Sequence, residues 1–528
     1  MDWQSPYPER RFPIFARNVV ATTQPLAAQA GLAMLRGGGN AVDAALAAAI
    51  TLTVVEPIMN GIGGDLYAMV WCDGQLHGLD STGAAPAGWT PARFAGRTEM
   101  PRTGWNSVTV PGQVAGWRAL SERFGKLPFA RLFAPAIDYA KNGFPVSAFI
   151  ASVWGRLAGL VDDQPGFADA FMPAGTAPCA GEIWRFPEQA KALADIAATD
   201  GNSFYRGDLA QRIIAASSAA GGVLTGEDLA SHRAEWVTPL QQRYRDAVLH
   251  EIPPNGQGIA SLMAAGMLAH FDIRACGLDS AAALHLQIEA MKLAFADLHA
   301  HVGDPRHMRV PASALLDPAY LASRAAAIDP ERAGAATAGR PRQAGTVYLA
   351  AADSAGMMVS FIQSNYYAFG SGVVVPGTGI SMHNRGWNFN LEPGHPNEVG
   401  PGKKPLHTII PAFVTGVDGS PMMAFGVMGG FMQAQGHLQM LSRLADFQQS
   451  PQAMNDAPRF MASPLDGSVK VEAHMPAAAV DGLRRRGHRL VVAPTGDLDF
   501  GAAQIIQRDG DHYVAASDGR RDGQAVGF

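Results

Sequence analysis

Twenty-one residues from Ala325 to Gly345 (AAAIDPERAGAATAGRPRQAG) carry almost no large apolar side chain and are dense in Ala, Gly, Arg and Pro. Such a stretch cannot bury itself, so it should be exposed and mobile. It divides the 528 residues at a change of pattern. The 345 residues before the boundary read as helix-rich with some strand, and the 183 after it (528 − 345) open with sheet. Thr346–Ala352 (TVYLAAA) reads as a strand, Asp353-Ser354-Ala355-Gly356 as a turn, and Met357–Ser364 (MMVSFIQS) as the hairpin partner. Gly372–Val375 and Gly379–His383 supply further strands. The fold has to combine helical and sheet parts across this connection.

Charge narrows the choice of partner. Lys plus Arg number 41 against 46 Asp plus Glu, a net charge of −5. That field is too weak for a nucleic-acid surface, which needs a dense basic patch. Hydrophobic residues at 48% and charged residues at 16% provide a large core and exclude wholesale disorder. Cys72, Cys179 and Cys276 form no CxxC pair, which argues against a disulfide scaffold or cysteine zinc site. The start, MDWQSPYPERRFPIF, has no apolar stretch behind its charges and so does not read as a secretory signal. Ala44–Val55 is the longest apolar run, well short of the ~20 residues that span a bilayer. The expectation is a cytoplasmic protein that meets neither membrane nor nucleic acid.

The first part reads as paired helices. Leu26–Arg36 is stopped by Gly37-Gly38-Gly39, and Asn40 can cap Ala41–Val55, which is apolar nearly all round and therefore buried. Asn60-Gly61-Ile62-Gly63-Gly64-Asp65 is a glycine turn without the spacing of a phosphate loop. Ala281–His301 is the clearest helix, with Leu284, Ile288, Met291 and Phe295 on one stripe. Its histidines, His285, His299 and His301, read as satisfied surface residues, with no metal site expected.

GxSxG, P-loop and HExxH signatures are missing. Four features can carry chemistry, each beside a purely structural reading. Thr346 is an ordinary strand starter, or, if the Gly345–Thr346 bond is cut, a nucleophile whose own α-amine (reference pKa near 8) serves as base. Gly429-Gly430 is a strand-to-helix turn, or a pair of N–H groups converging as an oxyanion hole. Arg385 is a structural ion-pair partner, or a bidentate clamp for a substrate carboxylate. His407-Thr408 caps a strand, or offers an imidazole and a hydroxyl to a site.

Together these residues resemble the γ-glutamyltransferase (glutathione hydrolase) family of N-terminal-nucleophile hydrolases, over nearly the whole chain. The resemblance rests on GGNAVDAALA (Gly38–Ala47), EPxxxGIGGD (Glu56–Asp65), VPG (Val110–Gly112), FYRG (Phe204–Gly207), GGVLTGEDL (Gly221–Leu229), PPNGQG (Pro253–Gly258) and GDP (Gly303–Pro305). It continues through Thr346 with Asp353, FGSG (Phe369–Gly372), GPGKKPLHT (Gly400–Thr408), MGG (Met428–Gly430) and DAPRF (Asp456–Phe460). The resemblance implies an α+β fold, a four-layer αββα sandwich built from one self-cleaving precursor. It implies a large chain of residues 1–345 and a small chain of 346–528 that stay intertwined, and a possible homodimer of that pair. It carries the nucleophile onto Thr346, the orienting hydroxyl onto Ser364 and the oxyanion donors onto Gly429 and Gly430. It needs no cofactor.

The departures bear on the substrate. The family's large-chain arginine, which grips a glutamyl α-carboxylate, falls on Thr82, and the acid that takes the α-ammonium falls on Asn388. A family asparagine becomes Tyr366, a glutamine becomes Arg385, and a serine pair becomes His407-Thr408. A zwitterionic glutamyl end would lose charge-assisted contacts of about 1.5–3 kcal/mol each. Arg385 instead suits a small amide with a carboxylate beside the scissile carbonyl. Some relatives in the family are oxamate amidohydrolases of purine-nitrogen salvage. The expected activity is hydrolysis of a linear amide, oxamate to oxalate and ammonia. A glutathione hydrolase or γ-glutamyltransferase and an unprocessed, non-catalytic binding protein of the same fold remain the alternatives.

Overall fold

The computed structural model describes residues 11–334, 345–463 and 466–528. Two antiparallel seven-stranded sheets lie at its centre. One runs Gln524–Gly527, Val19–Thr22, Gly345–Ala352, Met358–Tyr366, Asp65–Cys72, Gln75–Ser81, Glu235–Val237. The other runs Ile14–Ala16, His512–Ser517, Ala503–Asp509, Pro421–Val427, Ala412–Gly416, Ala247–Glu251, Leu240–Tyr244. Both sheets mix strands from before and after the Gly345–Thr346 junction, so neither part could complete a sheet alone.

Period-two alternation on Gly345–Ala352 sorts side chains between two layers. Val347, Leu349 and Ala351 join a core with the helices Pro25–Arg36 and Ala41–Val55. Tyr348, Ala350 and Ala352 face the second sheet, packing with Phe413, Ala424 and Ile506. A third core lies behind that second sheet, where Val414, Phe425 and Ile505 meet the helices Gly258–Leu268, Ala281–His301 and Met432–Ala445. The layers are therefore helix, sheet, sheet, helix.

The predicted helices stand at Pro25–Arg36, Ala41–Val55 and Ala281–His301. Asn40 caps the second through a reciprocal box with Asp43. Asp353 explains the sharp hairpin: one carboxylate oxygen accepts from Ala355 and Met357 N–H, while the other accepts from Ala41 N–H at the start of that helix.

Two expectations are corrected. His285 is fully buried, and His299 lies against Phe295 and Phe431 rather than at the surface. The proposed exposed stretch is anchored at its start. Ile328 is buried, Ala333 N–H donates to Arg486 O at 2.7 Å and Gly334 N–H to Glu289 at 2.9 Å. The remainder of that expectation, residues 335–344, lies outside the described residues. No helix among the described residues is long and apolar enough to cross a membrane.

Candidate active site

Thr346 is fully buried on Gly345–Ala352. Gly345 pairs with Tyr366 and Val347 with Gln363, so the register slips at Thr346 and produces a bulge. Bulges re-aim side chains next to functional sites. Here the Thr346 hydroxyl lies 3.2 Å from Ser364 Oγ, and Gln433 Nε2 points to it at 3.5 Å. Ser364 Oγ also accepts from Tyr366 N–H at 2.7 Å, which fixes its position. The glycine turn below is packing, as read: a Cβ at Gly64 would meet Ser364 O at 2.8 Å.

Gly429 and Gly430 join Pro421–Val427 to Met432–Ala445, with φ of 120° and 62°. Such conformations suit glycine. Among the described residues, neither N–H donates to a main-chain carbonyl. Gln257 ties this turn to the Thr408 segment, its amide nitrogen donating to both Thr408 O and Gly430 O. Gln433 accepts from Ile410 N–H and reaches Thr346 with its other end. Two amides thus hold the turn, Thr346 and Thr408 in one frame.

Arg385 begins a short 3₁₀ turn, Arg385–Asn388, and is fully buried. Its Nη1 donates to Thr408 Oγ1 at 2.8 Å, and its guanidinium carbon lies 4.1 Å from the centroid of the Tyr366 ring. Among the described residues, its Nε and Nη2 have no partner. Those two donors form the side-on fork that matches a carboxylate. Burial lowers the Arg385 pKa to about 10, with partial compensation from Tyr366 and Asp65, so it is a cation at neutral pH. Tyr366 holds this ring at φ 78°, a costly conformation outside glycine, and donates its hydroxyl to Asn388 Oδ1 at 3.0 Å.

Of the other candidates, Asn388 and His407 lie near this cation. Asn388 is spanned between Tyr366 and Leu406 O, so both ends of its amide brace the wall. His407 Nε2 lies 3.1 Å from Asp65, and its Nδ1 accepts from Ile409 N–H at 3.3 Å. Burial first, then neighbouring Arg385, lowers its pKa to about 3, so it remains neutral. Thr82 is buried and donates to Asp80 Oδ1 at 2.7 Å. Asp80 in turn pairs with Lys404 at 2.9 Å, which engages that ammonium.

Asp65 and His383 were missed by sequence reasoning as parts of this region. Asp65 accepts from Gly83 and Gly112 N–H and faces both His407 and, at 3.4 Å, His383. Asp65 ends the GIGGD motif, and that was the available signal. Beside the site opens a cleft of about 530 Å³ whose walls include Asn388 and Phe431.

Residues 27–528 match the family described as Gamma-glutamyltranspeptidase. An Oxamate amidohydrolase proenzyme of Klebsiella pneumoniae is 37% identical over 515 residues, covering 95% of this chain and 97% of that one. A Glutathione hydrolase-like YwrD proenzyme of Bacillus subtilis is 35% identical over 523 residues, covering 98% and 99%. A crystal structure of cephalosporin acylase from Bacillus halodurans superposes with a TM-score of 0.95 at 45% identity, covering 100% of this chain and 99% of that chain. With its αββα layers of the N-terminal-nucleophile hydrolase kind, this chain belongs to the γ-glutamyltranspeptidase family and is a hydrolase of amide bonds.

Proposed function

We propose that the chain cleaves itself between Gly345 and Thr346 and hydrolyses a small amide bearing a carboxylate next to the scissile carbonyl, with oxamate the leading substrate. The carrying observation is Arg385, a buried guanidinium whose Nε and Nη2 lack partners among the described residues. An unsatisfied buried charge is costly, and a substrate carboxylate would relieve it. The Klebsiella relative is named for oxamate, which supports the same chemistry.

In this reading the Thr346 hydroxyl attacks the amide carbon while the freed α-amine takes its proton. Ser364 orients the hydroxyl. The Gly429 and Gly430 N–H groups hold the oxyanion, and the proton passes to the departing nitrogen. Water then hydrolyses the acyl-enzyme. Thr408 steadies Arg385, while Tyr366 covers one face of the guanidinium and Asn388 holds Tyr366 in place.

The test pairs oxamate with a chromogenic γ-glutamyl anilide. Turnover of oxamate alone supports the proposal, whereas turnover of the anilide alone selects the glutathione-hydrolase reading. Thr346→Ala should remain one chain of 55.6 kDa with no amidase activity. Two fragments from that variant on denaturing electrophoresis would remove Thr346 from the mechanism.

A further inference from the structure

The carboxylate-binding reading leaves the adjoining cleft without a purpose, since oxamate is small beside it. At about 530 Å³ the cleft has the size of sites that hold drug-sized molecules, about 300–1,000 Å³. Its position is informative. Asn388 belongs to the Arg385 turn and is bonded to Tyr366. Phe431 directly follows the proposed oxyanion donor Gly430. The cleft therefore begins where an amide lying between Arg385 and the glycine turn would project its nitrogen substituent.

Its chemistry is polar and of mixed sign. Arg97, Glu99 and Glu392 are exposed on its walls, which also include His395, Asn390, Leu391 and Phe431. Two carboxylates against one guanidinium disfavour an anion, and the amides of Asn388, Asn390 and Asn397 offer hydrogen bonds to an uncharged polar group. The His299 ring closes it against Phe431 at 5.4 Å between centroids.

Resting on the carboxylate reading, we infer that this cleft receives the amine half of the substrate, so that the chain's preferred substrates are N-substituted oxamates carrying a neutral polar substituent, with oxamate the minimal member of the class. The step balances as hydrolysis. The Thr346 oxygen–carbon bond forms and the carbon–nitrogen bond breaks. The amine leaves with the proton taken from the hydroxyl, and water then releases oxalate and restores the threonine.

The experiment measures kcat/KM for oxamate, N-methyloxamate and N-(2-hydroxyethyl)oxamate with the processed enzyme, then with Leu391→Trp and Glu392→Trp, which narrow the cleft. Glu392 is exposed, so its variant keeps the test independent of any folding defect in Leu391→Trp. The hydroxyethyl compound should exceed oxamate at least tenfold, and each tryptophan should reduce that ratio at least fivefold. Oxamate turned over as fast as the substituted amides, or ratios unchanged by both tryptophans, would overturn the assignment of the cleft while leaving the carboxylate reading intact. Turnover of none of the three by enzyme already processed at Thr346 would overturn the carboxylate reading itself, and this inference with it.

Discussion

Two arginines are sealed inside this molecule under opposite terms. Arg459 is 1% exposed, and its Nη2 meets the buried Asp518 at 2.6 Å while its Nη1 donates to Phe500 O. Arg520 joins the same carboxylate and also pairs with Glu472. Arg385 is 0% exposed and has a hydroxyl, a ring face and no carboxylate within ion-pair distance among the described residues. The first arrangement has its charge met by a carboxylate, with only Nε lacking a partner among the described residues, and holds Asp456–Phe460 against Asp518. The second has two donors that no described residue meets. A buried cation without a carboxylate partner is a sharper candidate for function than one already paired.

The largest expected effect comes from breaking the carboxylate-paired arrangement. Arg459→Met leaves Asp518 to Arg520 alone and should lower unfolding free energy by about 3 kcal/mol in chemical denaturation, the low end for a broken buried pair. A loss below about 1 kcal/mol would remove the contrast. Acid should undo the same contact. Arg459 and Arg520 hold the Asp518 pKa well below the usual carboxylate range against the opposing effect of burial. Its contribution is thus fully present above the unfolded value, near 3.9, and is lost as pH falls through the lower folded value. Stability measured from pH 5 downward should fall more steeply in the parent than in Arg459→Met.

Arg385→Met should behave in the opposite way. It removes an unpaired buried cation, so unfolding free energy should stay level or rise, while kcat/KM for oxamate falls about 10- to 150-fold, the equivalent of about 1.5–3 kcal/mol. A destabilised variant with normal kcat/KM would make Arg385 structural. Thr408→Val should have the smallest effect. It removes the hydroxyl that steadies Nη1, worth about 0.5–1.5 kcal/mol, and should raise KM with little change in kcat.

Short-range pattern made much of this fold legible. The hairpin at Thr346, the Asp353 turn and the Ala281–His301 helix each follow from local periodicity and capping. The glycines at 429 and 430 announced a turn, and its two positive φ angles bear out why glycine is there. What stayed hidden depends on partners distant in sequence. His285 lies on an apolar helix, and its burial follows from His488, 203 residues away, at 2.8 Å. The fixing of His407 depends on Asp65, 342 residues earlier. The spacing suggested Arg385 as a clamp or an ion-pair partner, and only the surrounding structure reveals which of its donors are taken.

The most direct test is a crystal structure of the processed enzyme soaked with oxalate, the proposed product, which cannot turn over. One carboxylate should bridge Arg385 Nε and Nη2 at about 2.7–2.9 Å, with the other carboxylate carbon about 3–3.5 Å from Thr346 Oγ1. Oxalate bound elsewhere, with both Arg385 donors still empty, would contradict the assignment of this guanidinium to the substrate.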